Sequence, residues 1–192
     1  MDSVLVTCPT AATKDYAFDA YLNAYNGFTY ENRHLLMVDT SSEADGYDQR
    51  LRDAGVESVV RFECNDSTRV ALQYLITVVW EDIIIPTAWE TGADWIFHIE
   101  SDIICPRDTV EATLDVADRY GASIVGHSYP ARSGNDIVFE KSIGCIMWKR
   151  ELFEPGHTFW DSAEDFVRSH AYEKGARGVQ LTNVLQIEHL DG

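Results

Sequence analysis

Short apolar runs alternate with helix-periodic stretches through the first hundred residues, and that alternation restricts the fold more than any other feature. Ser3 to Thr7, His34 to Asp39 and Glu57 to Phe62 read as strands, the first broken by the loop residues Cys8-Pro9-Thr10. Between them, Lys14 to Asn26 sets Tyr16, Ala17, Ala20, Tyr21, Ala24 and Tyr25 at helical spacing, with Gly27 placed to end the helix. Tyr47 to Ala54, closed by Gly55, reads as a shorter helix. Strands that take turns with helices cannot pair through tight hairpins, so the pattern predicts a parallel sheet covered on both faces.

The rest of the chain mixes strands with fewer helices. Asp66-Ser67-Thr68 offers cap chemistry to a long helix from Arg69 to Ile85, which Pro86 should kink or restart. Trp95 to Ile99 is an aromatic and β-branched strand. Pro106 to Tyr120 reads as a helix with Gly121 past its end. Ala122 to Gly126 and Ile143 to Trp148 are expected strands, Ala163 to Lys174 a helix, and Val179 to Glu188 a last strand-like stretch. No repeat, low-complexity segment or linker divides residues 1–192, so one α/β domain is expected.

Of the 192 residues, 45% are hydrophobic, enough for a substantial core, and no apolar run approaches the ~20 residues that span a bilayer. Met1-Asp2-Ser3 lacks the basic start of a signal peptide, so a soluble, cytoplasmic protein is expected. The net charge of −17 disfavours binding to nucleic acid or anionic membranes. Lysines are confined to positions 14, 141, 149 and 174. An acidic, lysine-poor surface is expected of a halophilic protein, because high salt screens its self-repulsion. Cys8, Cys64, Cys105 and Cys145 form no CxxC pair and read as free buried thiols in a reducing compartment.

The strand Trp95 to Ile99 runs directly into Glu100-Ser101-Asp102. Carboxylates at the end of a buried strand are costly unless something positive compensates them, which suits a divalent cation with oxygen ligands. A strand that simply ends in solvent would carry the same residues. In parallel sheets, however, ligands gather at the carboxyl ends of strands. That rule puts Thr7-Cys8-Pro9, Asp39, the loop after Phe62, and Glu100 with Asp102 on one rim. Glu164-Asp165 opens a later helix and reads either as dipole capping or as a general base. His189 ends the last strand-like stretch, where a histidine could complete an O,O,N site. His98, inside an apolar strand, reads as a core histidine, and Trp148 as core.

In order and spacing these elements resemble the GT-A fold glycosyltransferases, in particular the inverting family 2-like group with its compact viral and prokaryotic relatives. The resemblance covers nearly the whole chain. Val4 to Thr10 looks like the opening strand and nucleotide loop, with Thr7 and Pro9 against the nucleotide. Leu36 to Ser42 is similar to the strand whose terminal Asp, here Asp39, meets the base. Thr68-Arg69 matches the helix start whose Arg approaches the diphosphate. Glu100-Ser101-Asp102 sits at the DxD position. Gly144 to Phe153 looks like the glycine-led strand and following segment beside the donor sugar. Glu164-Asp165 matches the ED motif, and His189-Leu190 the late metal-binding histidine.

The resemblance implies a single Rossmann-like GT-A domain with a mostly parallel central sheet flanked by helices. It also implies a hexosyltransferase-like enzyme that uses Mn2+ or Mg2+, held by Asp102 and His189 with Glu100 as the softer ligand. The donor would be a UDP- or GDP-sugar, bound through Thr7, Pro9, Asp39, Arg69, Glu100, Ser101, Asp102 and Gly144. The acceptor would be a glycan, protein or lipid-linked hydroxyl, deprotonated by Asp165 with help from Glu164, and the anomeric centre would invert. Glu100 departs from the family pattern, which has Asp there. Two alternatives stand beside this reading. One is a non-catalytic sugar- or nucleotide-binding or assembly module. The other is a nucleotidyltransferase, disfavoured because Thr7 to Ala12 holds no glycine and no basic residue precedes Lys14.

Overall fold

The computed structural model describes residues 1–62, 75–130, 137–138, 144–154, 156, 175–181 and 187–190. Its centre is a seven-stranded sheet in the order β10-β6-β9-β4-β1-β2-β3. The strands are β1 Val4–Thr10, β2 Arg33–Asp39, β3 Ser58–Arg61, β4 Trp95–Ile99, β6 Ile124–His127, β9 Cys145–Lys149 and β10 Gly178–Leu181. β1 runs parallel to both β2 and β4, β2 to β3, and β10 to β6; β9 is antiparallel to its neighbours β4 and β6. The mostly parallel sheet expected from the alternation is therefore present, with one reversed strand. Two small ladders accompany it: β5 Ile103–Ile104 with β11 Glu188–His189, and β7 Tyr129–Pro130 with β8 Ile137–Val138. The stretch read as one last strand is thus two, in different sheets.

The two-residue period of the strands sorts side chains onto two faces. Val4, Val6 and Cys8 of β1 and Trp95, Phe97 and Ile99 of β4 pack on one side. There they meet Phe18 and Tyr21 of α1 (Asp15–Gly27), Tyr47 and Leu51 of α2 (Tyr47–Asp53), and Val110 and Ala117 of α4 (Thr109–Tyr120). Leu5, Leu36, Val38, Ile96 and Trp148 face the other way, onto a helical stretch that begins by residue 75. That stretch passes through a π-turn, Trp80–Ile84, before restarting as α3, Ile85–Glu90, where Ile85 N–H reaches back to the Trp80 carbonyl. Pro86 lacks an N–H and its ring crowds the turn before it, so a widened turn at this point is the expected accommodation. Trp80 stacks on Trp148 at 4.4 Å, and Phe153 closes the cluster. Trp148 is core, as expected.

β1 continues through Cys8-Pro9-Thr10, beyond the expected break. Its pairing with β4 stops at Thr7–His98, whereas its pairing with β2 runs on to Thr10–Asp39. The Thr10 carbonyl points to the β2 side, where it accepts the Thr40 N–H. Pro9, one residue earlier, therefore faces the β4 side, where no ladder donor is needed any longer. The α4 helix starts at Thr109, three residues later than read, because the Pro106 carbonyl accepts both the N–H and the hydroxyl of Thr109. Its left-handed C-cap at Gly121, φ 59°, is where the sequence placed the stop.

Cys8, Cys105 and Cys145 are free and buried, and burial pushes the Cys8 thiol up to about 12; Cys64 lies outside the described residues. Among the described residues, no helix is long and apolar enough to cross a membrane.

Two histidines are enclosed. His98 lies against Trp80, 5.4 Å between rings, with the Thr7 hydroxyl 3.5 Å from Nδ1. His127 Nε2 is 2.8 Å from the Thr113 hydroxyl, which itself donates to the Thr109 carbonyl, so the imidazole N–H is the donor there. Burial, with the nearby Lys14 adding to it, lowers His98 to about 3, and burial alone lowers His127 to about 4. Both rings are neutral in the folded chain at pH 5, while the unfolded chain takes up protons near pH 6.5. Stability is therefore lost as pH falls below that value, by about 2 kcal/mol per histidine at pH 5. Urea unfolding at pH 7 and pH 5 measures the loss. His127→Gln should remove about half of it, and an unchanged acid loss in that variant would contradict the assignment.

Candidate functional site

The sheet order turns at β1: β2 and β3 follow on one side, while β4 lies on the other. Ligand crevices in open α/β sheets form where the carboxyl ends of strands part in this way. At this rim the backbone after β4 makes a tight turn. Glu100 N–H donates to the Gly144 carbonyl at 2.8 Å, and Ile103 N–H donates back to the Glu100 carbonyl at 3.0 Å. The turn sends the next two side chains in different directions from Glu100. The Glu100 side chain stays about one-third exposed, whereas Ser101 and Asp102 are fully buried.

Two segments distant in sequence surround the Asp102 carboxylate. Lys14 Nζ lies 3.2 Å from both of its oxygens and 3.8 Å from Glu100 Oε2. The Tyr16 hydroxyl donates to Oδ2 at 3.3 Å. His189 Nε2 stands 3.6 Å from the same oxygen. His189 is delivered by the β5–β11 ladder, in which it pairs with Ile103, and Leu190 N–H donates to the Asp102 carbonyl at 2.8 Å. Its Nδ1 is 3.1 Å from the Pro130 carbonyl, which can only accept, so Nδ1 carries a proton and Nε2 is the nitrogen that faces the carboxylate. A backbone carbonyl that fixes the tautomer of an imidazole in this way is the usual support of a metal-ligating histidine. Tyr129 holds the ring from the side, edge-on at 5.6 Å.

A second part of the rim lies at the end of β2. Asp39 is buried; its Oδ1 accepts the Ser41 N–H at 2.9 Å, the turn that Asp favours after a strand. Its Oδ2 is buried with no hydrogen-bond partner among the described residues, and so is the Ser101 hydroxyl. An orphaned buried acceptor is costly. A ligand that donates to Asp39 removes that cost. Ser41 Oγ accepts the Ala12 N–H, and Thr40 holds the Thr10 carbonyl, so the loops after β1 and β2 form one wall.

Of the residues singled out in the sequence, Glu100 and Asp102 meet at Lys14 and His189 stands at Asp102, with Ser101 in the same turn and Gly144 bonded to it. Asp39 and Pro9 lie at the β1–β2 rim. Thr7 lies deeper, its hydroxyl enclosed beside His98. Arg69, Glu164 and Asp165 lie outside the described residues. Among the described residues no three His, Cys, Asp or Glu side chains gather as a metal cage. The donors that fit a hard or borderline cation are the Asp102 carboxylate and the His189 imidazole. Lys14 and Tyr16 were missed. Lys14 is the sole cation in the first 32 residues and follows the first strand of a very acidic chain, which is the signal that could have found it.

No family model matches the sequence, and no curated protein matches it. Solved structures do. TarS of S. aureus, as fragment 1-349, superposes with a TM-score of 0.67 at 14% identity over 97% of this chain and 60% of that one. The same fragment in complex with UDP gives 0.67 at 12% identity. The mannosyltransferase PcManGT of Pyrobaculum calidifontis, in complex with GDP-Man and Mn2+, gives 0.64 at 14% identity over 98% of this chain and 56% of that one. The chain thus spans well under two thirds of the length of these neighbours. At such identities the likeness establishes the architecture, and the chain has a GT-A-like fold.

Proposed function

We propose that the chain, as one catalytic domain over residues 1–192, transfers a sugar from a nucleoside-diphosphate donor to an acceptor hydroxyl. The observation that carries this reading is the buried Asp102 carboxylate, held with His189 Nε2 and Lys14 at the rim where β1 and β4 part. The neighbours of the same fold bind UDP, UDP-GlcNAc, or GDP-Man with Mn2+, which supports a nucleotide-sugar donor here.

Each part of the rim has a task in this reading. Asp39 Oδ2 accepts an N–H of the nucleobase, which satisfies its missing hydrogen bond. Asp102 and His189 would hold Mn2+ or Mg2+, with Glu100 toward the ribose or a bound water. The cation, when bound, neutralises negative charge developing on the diphosphate leaving group. Lys14 brings a further positive charge to the same rim, within reach of the diphosphate. Gly144 keeps the floor beside the sugar low: a Cβ there would collide with the Tyr129 hydroxyl and press on Ile103. Asp165 takes the proton from the acceptor hydroxyl as it attacks the face opposite the leaving group, with Glu164 orienting hydroxyls, so the anomeric centre inverts. Arg69 would add positive charge for the diphosphate in the same reading.

Calorimetry with a panel of UDP- and GDP-sugars, with and without Mn2+, tests the proposal. One donor should bind in a metal-dependent manner, and Asp102→Ala should abolish that dependence. Asp165→Asn should leave donor binding intact and lower turnover by about 10²–10⁴. Absence of binding by every donor would favour a non-catalytic module instead.

Gly144→Ala gives an independent check on the floor of the site. Crowding of Tyr129 and Ile103 should destabilise the fold by about 1–3 kcal/mol and weaken donor binding through the displaced His189. Adding Tyr129→Phe, which removes the colliding oxygen, should restore part of both. A Gly144→Ala protein with parental melting temperature and donor affinity would show that the close approach is unimportant.

A further inference from the structure

Lys14 has a position that ordinary surface lysines lack. It ends the one-turn 3-10 helix Ala12–Lys14 that joins β1 to α1, so its backbone is tied to the rim. Its ammonium sits between Glu100 and the fully buried Asp102, while its own side chain is about one-quarter exposed. This ammonium lies 3.2 Å from both Asp102 oxygens, with the Tyr16 hydroxyl and His189 Nε2 beside it on Oδ2. A carboxylate with no exposure cannot be left unpaired without a large penalty. A divalent cation ligated by Asp102 and His189 would meet the ammonium at the same two carboxylate oxygens, where like charges repel.

We infer that Lys14 is a tethered counter-ion that exchanges with the divalent cation at Asp102: it neutralises the carboxylate while the site is empty and withdraws when the metal binds. The long, partly exposed lysine stem allows the withdrawal, and the withdrawn ammonium stays within reach of a diphosphate on the same rim. Lys14 is a positioning residue in this scheme. It holds Asp102 in place before loading and raises the concentration of metal needed to load the site. The inference rests on the metal-dependent donor reading for its biological sense, but its test needs no donor.

Two measurements decide it. Mn2+ binding without nucleotide, followed by the loss of the free-ion EPR signal, should be about tenfold or more tighter in Lys14→Met than in the parent. The thermal stabilisation by Mn2+ should be larger as well, because the metal-free variant lacks the ammonium beside Asp102. Lys14→Arg, which keeps the charge, should bind Mn2+ no tighter than the parent. Should Lys14→Met fail to fold, the parent answers alone. With lysines only at positions 14, 141, 149 and 174, amine acylation can be read by mass spectrometry for each one. Mn2+ should raise the acylation rate at Lys14 several-fold over the rate at Lys149. Equal or weaker Mn2+ binding in Lys14→Met would overturn the inference, as would Mn2+ binding that leaves Lys14 acylation unchanged. Failure of all nucleotide sugars to bind, with these Mn2+ results intact, would remove the transferase reading and leave the exchange standing.

Discussion

The carboxylate of Asp102 is the constraint on which the rest of the site depends. It is fully buried at the end of a central strand, in a chain with 32 acidic and only 15 basic side chains. A buried carboxylate must be compensated by several groups of good geometry, and this fold brings them from two places. Lys14 and Tyr16 come from the β1–α1 junction, and His189 comes from a two-residue ladder near the other end of the chain. The turn that carries Asp102 is itself pinned to β9 through the Gly144 carbonyl and to β11 through the Leu190 N–H. Strand pairing, turn geometry and charge compensation therefore meet at one residue.

The one reversed strand of the sheet takes part in the same arrangement. β9 lies between β4 and β6 and delivers Gly144 at its start, against the first residue of the acidic turn. A side chain at 144 would strike Tyr129, which packs on His189. One face of the sheet is filled by the Trp80–Trp148–Phe153 stack and the other by α1, α2 and α4. The core stays below the rim, so the rim is left to polar residues.

Much of this was legible in the sequence because it rests on periodicity and on punctuation. The alternation of strands and helices, the helix ends at Gly27 and Gly121, the break at Pro86 and the core role of Trp148 all follow from local pattern. The convergence of Glu100, Asp102 and His189 followed from the strand-end rule joined to family resemblance. What escaped the sequence depended on partners far away in the chain. Pro9 reads as a breaker, and becomes a strand residue only because β4 has already ended beside it. Lys14 reads as the first residue of a helix, and becomes part of the site only once β4 is laid next to β1. Cys105 and Cys145, 40 residues apart in sequence, lie with their sulfurs 3.8 Å apart, a proximity that no local spacing encodes.

The central claim is that Asp102 and His189 form the protein's share of one cation site at the β1–β4 rim. Pulsed EPR of Mn2+ bound together with UDP or GDP tests it most directly, because it detects an imidazole nitrogen coordinated to the ion. The account predicts nitrogen coupling from a single imidazole in the parent, lost in His189→Ala. Bound Mn2+ without nitrogen coupling, or coupling that survives His189→Ala, would contradict it.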